Sequence, residues 1–143
     1  MKTMLAKASA ALGLACGGLA LTAGPAAADT ITTATPSTNL KNGQSVSVLA
    51  DSGIGPYTGT TMNAATVQEC TSVNATLDCM TIGTLPFDAS QSTARNEFTW
   101  SGHVTVTKMI NGHLCQPAVS GAQCLLVVKE GAALIGSTPI TFK

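Results

Sequence analysis

Apolar and polar residues alternate with a period of two along most of this chain, and turn-forming residues break the alternation at short intervals. "TITTATP" (30–36) reads as a first strand ended by Pro36. After the "KNG" turn at 41–43, "QSVSVLA" sets Val46 and Val48 on one face and Ser45 and Ser47 on the other. "NAATVQEC" (63–70) is a strand that delivers Cys70, and the polar "TSVNATLD" returns the chain to Cys79 as a hairpin. Phe98 and Trp100 in "NEFTWSG" share a face, as do Val104 and Val106 in "HVTVTKMI". Asn111-Gly112 predicts a two-residue hairpin turn, because both central positions of a type I′ turn need positive φ. "LLVVK" (125–129) is apolar on both faces, as expected of a strand covered on both sides, and "STPITFK" puts Ile140 and Phe142 on one side. No segment reads as a helix. The pattern predicts an all-β, antiparallel sandwich.

The N-terminal stretch departs from this pattern. "MKTMLAKASAALGLACGGLALTAGPAAA" has two lysines, then an apolar run, then small residues, which is the layout of a secretory signal peptide cleaved after Ala28. Residues 1–28, Cys16 included, are therefore assigned to export, and residues 29–143 to one secreted, extracellular domain with no membrane anchor. The 143-residue chain less these 28 leaves 115, enough for one core. Five basic residues against seven acidic ones remain, a net charge of minus 2, which excludes a basic nucleic-acid surface. Threonine fills 19 of the 115 positions, in keeping with exposed strands.

Four cysteines remain in the domain, Cys70, Cys79, Cys115 and Cys124, an even number in an exported chain, so disulfides are expected. Of the three connectivities, sequential pairing closes two loops of equal length. His113 lies two residues from Cys115, but exported thiols are oxidised and no CxxC is present, so no metal site is assigned. Ser101 and His103 lack any nucleophile-elbow motif, and Asp51, Glu69, Asp78, Asp88, Glu97 and Glu130 are scattered through presumed loops and strand ends. No catalytic residue is assigned. "NAT" at 74–76 matches a glycosylation sequon and suggests an exposed hairpin tip, while "GIGPYTG" at 53–59 is a turn. The few aromatics read first as core, where a sandwich buries a tryptophan.

In order, the chain carries "TPSTNLKNGQSVSV", a Val-Gln-Glu-Cys strand, a second cysteine nine residues on, another close cysteine pair, and a closing "TPITFK". Across almost all of the domain this resembles the neocarzinostatin-like chromoprotein apoproteins of actinomycetes. The resemblance implies a seven-stranded, antiparallel immunoglobulin-like sandwich plus a ribbon, with disulfides Cys70–Cys79 and Cys115–Cys124. It further implies a monomeric, non-catalytic protein that holds an enediyne-type chromophore non-covalently, DNA being reached only through that chromophore. The ligand-binding positions carried over are Cys70, Leu77, Cys79, Phe87 and Trp100. Departures are visible: Ser72 stands where an aromatic is expected, Lys129 takes a polar position after the last cysteine, and "KMINGHL" replaces a longer aromatic hairpin. The competing reading is a secreted sandwich that binds a protein or cell-surface partner through strand edges or stapled loops.

Overall fold

The computed structural model describes residues 31–53, 57–74, 76–115 and 124–143; the expected signal peptide 1–28, part of the expected turn at 53–59, Ala75 of the sequon and residues 116–123 lie outside the described residues. In chain order the elements are β1 (Ile31–Thr35), β2 (Gln44–Asp51), β3 (Ala65–Val73), β4 (Thr76–Leu85), α1 (Ala89–Arg95), β5 (Thr99–Val106), β6 (Met109–Ile110), β7 (His113–Leu114), β8 (Cys124–Glu130) and β9 (Ala133–Ile140). Two antiparallel sheets, ordered β1-β2-β5 and β4-β3-β8-β9, face each other, and β6-β7 forms a separate ribbon. This is the antiparallel sandwich that the alternation predicts, with the seven strands and ribbon that the family resemblance implies.

Alternation builds the core. Val46, Val48 and Ala50 of β2 pair with Val104, Gly102 and Trp100 of β5, all on the inward side. The opposing sheet supplies Val67, Leu85, Leu126, Val128 and Ile140. β8 sits between β3 and β9, and its apolar run is well covered: Leu126 and Val128 are fully buried inward, and outward-facing Val127 is buried too. Asn111 and Gly112 have φ of 49° and 85°, so the ribbon turns as predicted.

One element was not expected. α1 forms because the Asp88 side chain accepts from the Gln91 amide at 3.0 Å, and Asn96 ends the helix in the left-handed region. Its Arg95 reaches the buried carboxylate of Asp51 at 2.8 Å, which also accepts from the Thr99 hydroxyl at 2.7 Å, tying the helix to β2 and β5. Asp88 also accepts from Ser101 Oγ at 2.6 Å, and these hydrogen bonds, that of Ser101 foremost, hold its carboxyl down at about 2.

The two sheets close on each other along both edges. Where β4 meets β5, a Cβ on Gly83 would lie 3.1 Å from Val104 Cγ1, and one on Gly102 would lie 3.2 Å from Leu85 Cδ2. Where β1 meets β9, a Cβ on Gly136 would overlap the Thr32 hydroxyl. That hydroxyl is buried and has no hydrogen-bond partner among the described residues.

The ribbon closes one end of the sandwich. Ile110 and Cys115 are fully buried beneath it, Thr71 Oγ1 donates to the Leu114 carbonyl at 3.4 Å, and Asn111 Nδ2 donates to Asp78 Oδ1 at 2.7 Å. Where β5 hands over to the ribbon, the Thr107 amide donates to Glu69 Oε2 at 2.9 Å. Glu69 is fully buried, and Oε1 has no partner among the described residues. Burial pushes its carboxyl up from 4.5 to about 7, against a smaller downward pull from the Thr107 amide.

Two expectations follow from this packing. Gly136→Ala should destabilise the fold by about 1–3 kcal/mol, the usual range for overpacking. Adding Thr32→Ala, near neutral by itself because it removes an unpaired buried hydroxyl, should recover most of that loss. Chemical denaturation of the four-member cycle checks this, and a double variant as unstable as Gly136→Ala refutes the contact. For Glu69, the folded pKa lies above the unfolded one, so its contribution is fully present below about pH 4.5 and lost as pH rises through about 7. Glu69→Gln should cancel that loss. The difference in urea-unfolding free energy between variant and wild type should therefore grow by ~3 kcal/mol from acid to mildly alkaline pH, where a flat difference would contradict it.

Candidate functional site

The sheet β4-β3-β8-β9 turns one face to the core and the other away from it. Cys70 pairs with Cys79 and Ser72 with Leu77 across the β3-β4 hairpin, and Cys70 pairs on its other side with Leu125 of β8. Because side chains alternate, these residues share the outward face with Gln68, Thr81, Val127 and Lys129, while Glu69, Thr71, Asp78 and Met80 point to the core and ribbon. The Cys70–Cys79 bond, with an S–S distance of 2.06 Å, crosses directly between the paired strands. It pins the hairpin whose turn is made by Asn74, at a φ of 50°. Next to it Leu77 is 53% exposed, a large apolar side chain held at the tip of a stapled hairpin.

The structure thus brings Cys70, Leu77 and Cys79 together. It sets Phe87 and Trp100 apart from them. Along β4, Cys79 and Leu85 are separated by ~20 Å at the usual strand rise, and Phe87 lies beyond, bridged to Trp100 of β5. Trp100 is inward-facing, almost fully buried, and its Nε1 donates to the Asn63 carbonyl at 2.8 Å. Its ring is 5.7 Å from that of Phe87, edge to face, and Phe87 and Phe98 each lie within 6 Å of Tyr57. These aromatics pack the end of the sandwich opposite the ribbon, because Gly102 leaves room for Leu85 and Pro86 and turns the chain after β4 across the start of β5.

The remaining sequence candidates resolve simply. Cys115 is bonded to Cys124, so neither is a thiol available to a metal, and His113 instead sits 4.0 Å from Asp78. Among the described residues no three histidines, cysteines or carboxylates gather. Ser101 gives its hydroxyl hydrogen to Asp88, and His103 is exposed two residues further along β5. The carboxylates read as scattered turn out to differ sharply: Glu69 and Asp51 are fully buried, each against a structural donor. The signal for Glu69 was its place in the inward series Val67, Glu69, Thr71. No helix among the described residues is long and apolar enough to cross a membrane.

No family model and no curated protein matches the chain. Among solved structures, the chain is similar to macromomycin, with a TM-score of 0.54 and 18% identity over 80% of this chain and 100% of that one. The solution conformation of apokedarcidin aligns at 22% identity over 80% of this chain and 98% of that one, with a TM-score of 0.49. The macromomycin alignment takes in the whole of that protein, so the architecture is shared from end to end. The chain has the fold of the neocarzinostatin-like chromoprotein apoproteins, as the resemblance in its sequence implies.

Proposed function

We propose that this is a secreted, monomeric, non-catalytic binding protein that carries an apolar small molecule of enediyne-chromophore type on the outward face of β4-β3-β8-β9. In this reading residues 1–28 direct export, and any damage to DNA comes from the cargo. The observation that carries it is the disulfide-pinned hairpin that presents Leu77 on the outward face, within a fold shared with macromomycin along that protein's full length. Leu77 and Cys79 form the contact surface, stapled from beneath by the fully buried Cys70, with Leu125 as its continuation on β8. Phe87 and Trp100 act in this reading by holding the far end of the sandwich. The described ribbon strands are only two residues each, so the cargo is held more by the shelf than by a wall.

A second reading, a protein or cell-surface partner docking on the same face, is favoured by the exposed Leu77, Met109 and Leu114 on hairpin and ribbon. Titration with an anthraquinone, followed by amide chemical shifts, separates the two. Binding should perturb Cys70, Leu77, Cys79 and Leu125, and Leu77→Asp should weaken it by about tenfold, the cost of placing a charge where apolar area was buried. Mass spectrometry of protein taken from its native culture fluid should show a non-covalent small-molecule adduct. Absence of both shifts and adduct sinks the carrier reading.

A further inference from the structure

The end of the sandwich opposite the ribbon contains an apolar notch of about 100 Å³. Its walls are Trp100, Phe98, Met62 and Ile135, and Leu134, 62% exposed, stands at its mouth. The size matters. A drug-sized ligand needs several hundred Å³ and an apolar cavity of roughly 150 Å³ takes up benzene, so this smaller notch, open at its mouth, admits a branched alkyl group or part of one compact ring. Its walls are held in place independently of any ligand. Trp100 is anchored to the Asn63 carbonyl, and Phe98 is braced by Tyr57 and Phe87. The site is therefore preformed, which spares a ligand the cost of ordering it.

Two polar residues line the notch, Ser52 and Glu130. Among the described residues the Glu130 carboxylate makes no ion pair and accepts no hydrogen bond. The nearest cation in sequence, Lys129, points to the other face of β8 by strand alternation, and Arg95 is committed to Asp51. The notch thus pairs an aromatic wall with one uncompensated negative charge. The carboxylate favours a cation, and the apolar wall favours the ring or alkyl body that carries it.

We propose that this notch is a second binding site, for a small ammonium compound carrying a single aromatic ring or a branched alkyl body. It is independent of the shelf around Cys70–Cys79, from which it is separated by the length of the sandwich. Since Trp100 is the one tryptophan in the chain and lines the notch, its fluorescence reports occupancy directly.

Three probes of nearly equal shape test the assignment: 2-phenylethylamine, 2-phenylethanol and phenylacetate, each titrated into the disulfide-intact protein. The amine should bind about tenfold more tightly than the carboxylate, with the alcohol between, which is the discrimination a rim carboxylate supplies. Glu130→Gln, at a partly exposed strand end, should collapse the three affinities towards that of the alcohol. Leu77→Asp should leave the series unchanged, whether or not the shelf carries a cargo. A Trp100 signal that responds to none of the probes, or equally to all three, overturns the proposal, as does a Glu130→Gln protein that keeps the preference for the amine.

Discussion

The close approach of the two sheets along both edges constrains everything else in this structure. At one edge Gly83 and Gly102 admit Val104 and Leu85, and at the other Gly136 admits Thr32. With the sheets this close at both seams, the space between them is filled among the described residues by core side chains. Among the described residues this leaves the two ends of the sandwich and the outward sheet faces for a ligand. The ribbon seals one end over Ile110 and Cys115, and the Trp100 cluster seals the other incompletely, leaving the notch. Exposed apolar side chains also stand on the ribbon, at Met109 and Leu114, and at Leu77 on the outward face that bears the Cys70–Cys79 staple.

The two disulfides stabilise the frame in the same way but serve it differently. Each closes a loop of ten residues, and on the chain-entropy account each contributes roughly 2.7 kcal/mol. Cys70–Cys79 joins directly paired strands and fixes the hairpin register that puts Ser72 and Leu77 side by side on the outward face. Cys115–Cys124 is buried and joins the end of the ribbon to the start of β8, so it fastens the lid over the core. Glu69 lies beneath that same lid with its charge opposed by burial. Attachment of the ribbon therefore rests on a covalent bond, a few hydrogen bonds and one carboxyl that favours the neutral form.

Much of this was legible in the chain. Strict alternation in "QSVSVLA" placed Val46 and Val48 in the core, and the unbroken "LLVVK" marked a strand with neighbours on both sides, as β8 has. Asn111-Gly112 named its own turn. The helix α1 went unread because its seven residues are too few for a helical period to show among apolar positions, although "DASQ" carries an N-cap followed three residues later by glutamine. The candidate site was legible only in part. Cys70, Leu77 and Cys79, grouped by the family resemblance, do lie together, because a hairpin keeps close residues close. The sequence could not reveal that Phe87 and Trp100 sit a whole strand length away, since aromatic residues advertise burial without saying at which end of the fold they are buried.

That separation changes how the protein's chemistry should be pictured. With five aromatic residues in all, four of them gathered at one end, the shelf around Cys70–Cys79 has no ring of its own among the described residues. A ligand there would be held by aliphatic contact with the outward strand face, which selects for area and weakly for shape. The notch at the other end has the reverse character, with little area, well-oriented rings and one charge. A broad apolar cargo and a compact cation would thus occupy opposite poles of the sandwich, and the shut seams between them leave packing of the common core as the physical route by which one could sense the other.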